Sequence, residues 1–332
     1  MKAAIVGIAG PALAAAERDI FAAHPPAGVI LFARNVVDPA QLRALTGELR
    51  AVLPENAVLM VDQEGGRVAR LRPPHWHGHP PSGALGALFA RDAAAGLRAA
   101  WLTGALIGLD CAASGFDVAC APVLDRAVPG AHSVIGDRAF AADGCTIARL
   151  GRALADGLLA AGVQPVAKHV PGHGRAGADS HLELPVVRDA DLEADLVPFA
   201  LLADLPWAMT AHILYPVWDA EHPATLSPHI LSAIVRGRIG FRGLIVSDDL
   251  AMKALAGAPA DLGRAALAAG CDIALHCTGE AEATAALLAA VPRVTPSAAA
   301  RLRAARTQAA LRRRRLDADA LAAERNALLP VA

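Results

Sequence analysis

Four stretches of this chain place carboxylates, imidazoles and basic groups where short apolar runs end. In Val61-Asp62-Gln63-Glu64-Gly65-Gly66-Arg67-Val68, with Arg70 close behind, an acid precedes a Gly-Gly turn. Asp62 there suits a group that accepts hydrogen bonds from hydroxyls, while Glu64 reads as a cap on the turn that follows. Ile135-Gly136-Asp137-Arg138-Ala139-Phe140 carries an Asp-Arg pair that says little alone. The richest stretch is Lys168-His169-Val170-Pro171-Gly172-His173-Gly174, followed by Ala178-Asp179-Ser180-His181. His169 and His173 have the spacing of metal ligands on a helix, but Pro171, Gly172 and Gly174 oppose that helix, so no metal is expected. Asp179 and His181 stand two apart in a loop, where the carboxylate can bond one ring nitrogen and leave the other for general acid–base work. In the fourth stretch, Gly243-Leu244-Ile245-Val246-Ser247-Asp248-Asp249-Leu250, an apolar run ends in two adjacent aspartates. Strand alternation lets only one of them point into a site. It cannot say which, because a strand buried on both faces is apolar at both parities.

The elements that must position these groups are short β-rich runs alternating with helical patterns, at 3–9, 29–33, 57–61, 116–122, 163–167, 208–214, 244–247 and 272–276. Eight βα units predict a single (β/α)8 TIM-type barrel, an α/β fold, over residues 1–294. A helical tail packed on the barrel is expected over 295–332. Asp38-Pro39, Ser227-Pro228 and Thr295-Pro296 each pair a side-chain acceptor with a proline at the first helical position. The C-terminal edges of the strands read Arg34-Asn35, Asp62-Gln63-Glu64, Asp125, Lys168-His169, His212, Asp248-Asp249 and His276. A barrel gathers these at one mouth, where such folds carry their sites.

Composition narrows the classes. Of 332 residues, 55% are apolar and the formal net charge is −1, which gives no electrostatic reason to expect nucleic acid or an anionic membrane as partner. The arginine run at 312–315 is followed by acids and reads as a solvated helix face. Aromatics are only 4%, too few for a long stacking platform, so a small polar pocket fits better. The opening Met1-Lys2-Ala3-Ala4-Ile5-Val6-Gly7 reads as a buried strand rather than a signal peptide, because Pro11 and Arg18-Asp19 break it early. No stretch reaches the length of a membrane span. Five cysteines, an odd number without paired metal spacing, read as buried thiols of a reducing compartment. A cytoplasmic location is expected.

Taken together, Asp62-Gln63-Glu64-Gly65-Gly66-Arg67, Lys168-His169-x-Pro-Gly-His-Gly with Asp179-Ser180-His181, and Ser247-Asp248-Asp249-Leu250 resemble the family 3 glycoside hydrolases. Among these the chain is most similar to the single-domain β-N-acetylhexosaminidases of bacterial cell-wall recycling, over about residues 28–277. The resemblance implies that Asp248 is the nucleophile, that His181 is the general acid/base and that Asp179 orients it. It implies sugar contacts from Asp62, Arg70, Arg138, Lys168 and His169. The substrate implied is a small carbohydrate, a GlcNAc-containing muropeptide such as GlcNAc-1,6-anhydro-MurNAc with or without peptide. No cofactor and no obligate protein partner are implied.

Val170 replaces a phenylalanine usual in the family, and Asp137-Arg138-Ala139-Phe140 replaces a more typical Glu-Arg-Ser-Tyr. The implied chemistry is double displacement with retention, with an imidazole in place of the usual second carboxylate. Three other readings are a β-glucosidase-like member of the family, a metal-dependent barrel hydrolase using His169, His173, His181 and Asp248, and a sugar-binding barrel without catalysis.

Overall fold

The computed structural model describes residues 1–329. The strands β1 (Lys2–Val6), β2 (Pro26–Leu31), β3 (Val58–Val61), β4 (Val118–Ala119), β5 (Gln164–Val170), β6 (Trp207–Thr210), β7 (Leu244–Asp249) and β8 (Ile273–His276) pair in parallel, in chain order, into a closed barrel. All eight predicted strands are present. β4 is shorter than its apolar run, and β6 stops at Thr210, four residues before the predicted end. The helices are α1 (Ala15–Ala23), α2 (Pro39–Val52), α3 (Ser82–Arg91), α4 (Ala93–Ala113), α5 (Gly144–Ala160), α6 (Glu193–Leu201), α7 (Pro259–Ala269), α8 (Ala281–Ala290), α9 (Pro296–Arg312) and α10 (Ala318–Leu328), with a π-helical segment at Ile230–Arg238 between β6 and β7.

Strand parity sorts the barrel into two apolar layers. Ile5, Ile30, Val58, Met60, Val118, Val166, Trp207, Met209, Leu244, Val246, Ile273 and Leu275 form the interior cluster, joined by Ala298, Leu302 and Ala305 of α9. The opposite parity, including Val6, Leu31, Leu59, Val61 and Ile245, packs under the helices with Phe21, Leu45, Leu49 and Leu154. Trp207, the largest fully buried side chain, donates its indole N–H to Gln164 Oε1 at 2.8 Å, so its polar atom is satisfied. Between α4 and α5 the backbones nearly touch. A Cβ at Gly104 would collide with the Leu154 carbonyl oxygen, and one at Gly157 with that of Trp101.

Helix starts follow the sequence markers. Asp38 accepts from the amides of Ala40 and Gln41, Ser227 Oγ from Ile230, and Thr295 Oγ1 from Ala298. The tail helices lie against the barrel through Arg301–Asp272 (2.7 Å), Arg98–Glu324 (2.6 Å) and Arg325–His79 (3.1 Å). The arginine run is not one helix face. α9 ends at Arg312, which pairs with Asp156 at 3.0 Å, and the Arg314 amide donates to Ala160 O. The chain there caps the carboxyl end of α5, whose last carbonyls need donors. All five cysteines are free and four are buried, but Cys145 is exposed, a departure from five buried thiols. Among the described residues no helix is long and apolar enough to cross a membrane.

Candidate active site

The carboxyl ends of the strands open on a cavity of about 160 Å³. Parity explains most of its polar lining. Asp62 continues the interior parity of Val58 and Met60, Lys168 that of Val166, and Asp248 that of Leu244 and Val246. Phe32 and Cys277 follow the same rule and line the cavity too. His276 has the other parity and lies outside the lining; its Nε2 meets Thr278 Oγ1 instead. Arg34 and Asn35 also leave the cavity, both bonding the Ile8 carbonyl.

One wall is a buried charge lattice. Lys168 Nζ contacts Asp62 Oδ1 at 2.8 Å and Glu64 Oε1 at 2.7 Å. Arg138 clasps Glu64 with two bonds of 2.8 Å, and Arg70 reaches Asp62 Oδ2 at 3.3 Å. Burial alone would raise the Asp62 carboxyl, but Lys168 and Arg70 hold it well below the usual range. Lys168 and Arg138 likewise overcome burial at Glu64. Glu64 is therefore an ion-pair partner inside the site rather than a turn cap. The turn is held by backbone: the Glu64 amide donates to Val68 O at 2.9 Å, and Gly65 and Gly66 supply positive φ of 102° and 55°. Gln63 pins the next segment, accepting from the amides of Arg70 and Leu71 and donating to Leu71 O.

Asp125, wholly buried, organises the floor. Its Oδ2 meets His169 Nδ1 at 2.7 Å, and its Oδ1 accepts the amides of His173 at 2.6 Å and His169 at 3.2 Å. Burial opposes its ionisation, but His169 and the His173 amide draw it down to about 2. Composition gave no reason to single out Asp125 beyond its place at a strand end.

At β7 the two aspartates have different surroundings. Asp249 Oδ1 accepts the amides of Ala251 and Cys277, both at 3.0 Å. Asp248 Oδ1 accepts only the amide of Asp249, at 2.8 Å, and its Oδ2 has no hydrogen-bond partner among the described residues. Burial would raise the Asp248 carboxyl; His169, the Asp249 amide and Lys168 outweigh it, so the group is ionised. His212 does not line the cavity. It lies beneath, bonded to Thr225 Oγ1 at 2.7 Å and to Asp249 O at 3.0 Å.

Across the cavity, Asp179 Oδ1 accepts both the amide of His181 at 2.9 Å and its Nδ1–H at 2.7 Å. That leaves Nε2 for exchange with a ligand. The His181 side chain is 64% exposed, and with Ser180 it forms part of the lining. The structure thus brings Asp62, Arg70, Arg138, Lys168, His169, His181 and Asp248 to one cavity, with Asp179 behind His181. Among the described residues no group of three or more His, Cys, Asp or Glu side chains is arranged to hold a metal ion.

The sequence pattern described as "Glycosyl hydrolase family 3 N terminal domain" matches residues 4–312. The chain belongs to glycosyl hydrolase family 3. It is accordingly a glycoside hydrolase. A β-hexosaminidase of Aromatoleum aromaticum is 40% identical over 311 residues, covering 92% of this chain and 87% of that protein. One from Xylella fastidiosa (strain 9a5c) is 42% identical, covering 83% of each. Among solved structures, NagZ from Neisseria gonorrhoeae in complex with N-trifluoroacetyl-D-glucosamine superposes with a TM-score of 0.88 at 32% identity, covering 99% of this chain and 98% of that one. The barrel of this family 3 member is the one expected from its βα alternation.

Proposed function

We propose that this family 3 hydrolase is a retaining exo-β-N-acetylglucosaminidase. Its proposed substrates are muropeptides, GlcNAc-1,6-anhydro-MurNAc with or without peptide, in cytoplasmic cell-wall recycling. The observation that carries this is the pairing across one small cavity of an ionised carboxylate with a free oxygen, Asp248, and an imidazole oriented by Asp179. Relatives that bear the name β-hexosaminidase, and a structural neighbour that binds an N-acylated glucosamine, support the choice of sugar.

In the first step Asp248 Oδ2 attacks the anomeric carbon, the glycosidic bond breaks and the Nε2 proton of His181 passes to the leaving oxygen. In the second, His181 takes a proton from water, the water oxygen forms the new bond to the anomeric carbon and the bond to Asp248 breaks. Two inversions at one centre retain its configuration. Asp62, Arg70, Lys168 and His169 are assigned to the sugar. Arg138, which lines the cavity and also clasps Glu64, is assigned to the sugar with them. Residues 1–294 form the catalytic barrel in this reading, with the helices Pro296–Arg312 and Ala318–Leu328 as its packed tail; the expected tail's last residues, 330–332, lie outside the described residues.

The deciding experiment compares release of nitrophenol from an aryl β-N-acetylglucosaminide and from the matching β-glucoside. Faster release from the first supports the reading; preference for the glucoside replaces it with a β-glucosidase-like activity.

A further inference from the structure

Ser180 stands between the two members of the dyad, yet it is only 2% exposed while the side chain of His181 is 64% exposed. Two contacts hold it. Its Oγ lies 3.1 Å from His173 Nε2, and its carbonyl oxygen accepts the Ala254 amide at 3.1 Å. The first contact leads back to the cavity floor, because the His173 amide is held by Asp125, which also holds His169. The second leads to the loop that follows β7 and Asp248.

His173 is buried, and burial together with the neighbouring His169 lowers it to about 4, so the ring is neutral. No acceptor among the described residues reaches its Nδ1. Either Nε2–H or the Ser180 hydroxyl can donate across the 3.1 Å contact, and in both arrangements it ties the two side chains together. The loop is also tied further back, where the His132 amide donates to Ala176 O at 2.9 Å. On the other side the Leu214 amide donates to Pro185 O at 3.0 Å, four residues past His181. Ser180 is the adjacent fixed point.

We propose that Ser180 is a positioning residue for the dyad: bonded to His173 on one side and to Ala254 on the other, it fixes where His181 stands across the cavity from Asp248. The proposal rests on the assignment of His181 as general acid/base. Ser180 itself moves no proton to the sugar. Its effect passes through His181, so its loss should be felt only where proton donation limits the rate.

The test uses Ser180→Ala, Ser180→Thr, His181→Ala and the double variant Ser180→Ala/His181→Ala. Each is assayed before the steady state on a β-linked GlcNAc disaccharide and on the nitrophenyl glycoside. Ser180→Ala is expected to lower cleavage of the disaccharide about 10- to 100-fold, as small misplacements of catalytic groups do. KM and the first-step rate on the aryl glycoside should stay within about twofold, because nitrophenolate leaves without a proton. Ser180→Thr, which keeps the hydroxyl, should recover most of the loss. In the His181→Ala background Ser180→Ala should add nothing, as two changes on one path do not add. Equal Ser180→Ala losses on both substrates, or losses that add in the double variant, overturn the positioning role. If His181→Ala alone loses equally on both substrates, the acid/base assignment falls and the role of Ser180 falls with it.

Discussion

His212 donates through Nε2 to the carbonyl oxygen of Asp249 at 3.0 Å, one residue beyond Asp248. Burial keeps His212 below the usual imidazole range and therefore neutral, so its Nδ1 accepts from Thr225 Oγ1. Thr210 Oγ1, 2.7 Å from Thr225 Oγ1, accepts the amide of Asp248 at 3.3 Å. The backbone on either side of the Asp248–Asp249 peptide is therefore held from the barrel side. The carboxylate of Asp249 is held from above by Ala251 and Cys277.

Asp248→Asn and Asp249→Asn should consequently behave differently. Asparagine at 248 removes the oxygen proposed to attack, and turnover should fall by about 10³-fold or more. Asparagine at 249 still offers an acceptor to both amides, so folding should survive with a loss of no more than about 1.5 kcal/mol and measurable activity. A mechanism-based fluorosugar followed by peptide mapping checks this. Label on Asp249 would move the nucleophile by one residue.

His181→Ala should lose much of the ~10²–10⁴-fold that general acid catalysis supplies on a disaccharide, and far less in first-step cleavage of an aryl glycoside. Breakdown of the intermediate still needs a base, so a burst of phenol followed by slow turnover is expected. Asp179→Asn should resemble a milder version, since Asp179 sets the tautomer through Nδ1. Stopped-flow kinetics on both substrates distinguishes this from a purely binding role, which would slow both equally.

Stability should respond to acid in two windows. His173 is held at about 4 by burial and by His169, below the ~6.5 of a free imidazole. Between those values the unfolded chain takes up a proton that the folded chain refuses, so stability falls as the pH drops from 6.5 to 4, on the order of 3 kcal/mol for this group. Asp125, drawn down to about 2 against its burial by His169 and the His173 amide, acts lower. Its contribution is intact above the ~3.9 of a free aspartate and is lost as the pH falls from there to 2. Urea unfolding of wild type and His173→Gln from pH 7 to 4 tests the first window. The variant should show a flatter profile, and parallel profiles would remove His173 as its source.

The barrel was legible because its strands are short apolar runs ending in charge, and the dyad because Asp179 and His181 are close in sequence. Glu64 was misread since a carboxylate before Gly-Gly looks like a cap; its partners, Arg138 and Lys168, lie 74 and more than 100 residues away. Asp125 and His212 escaped selection for the same reason: each acts on residues brought near only by barrel closure. Leu244 and Val246, not Ile245, face the interior, yet both Asp248 and Asp249 line the cavity, because the register of β7 shifts between Val246 and Asp249. Both parities of β7 are equally apolar, so residue type alone carries no such label.

The seam between β1 and β8 sets a condition on when this molecule becomes competent. Ala4 pairs with Ala274 and Ile5 with Leu275, contacts among the most distant along the chain, and Cys277 just past β8 supplies an amide to Asp249. Topologies built on distant contacts fold slowly, and until the ring shuts β1 and β8 are open edges prone to pairing with other chains. β8, the final strand of the chain, also completes the support of the Asp249 carboxylate through the Cys277 amide. A half-closed barrel should therefore have no partial activity, and lesions far from the mouth should lower the yield of working molecules while leaving the turnover of each survivor intact.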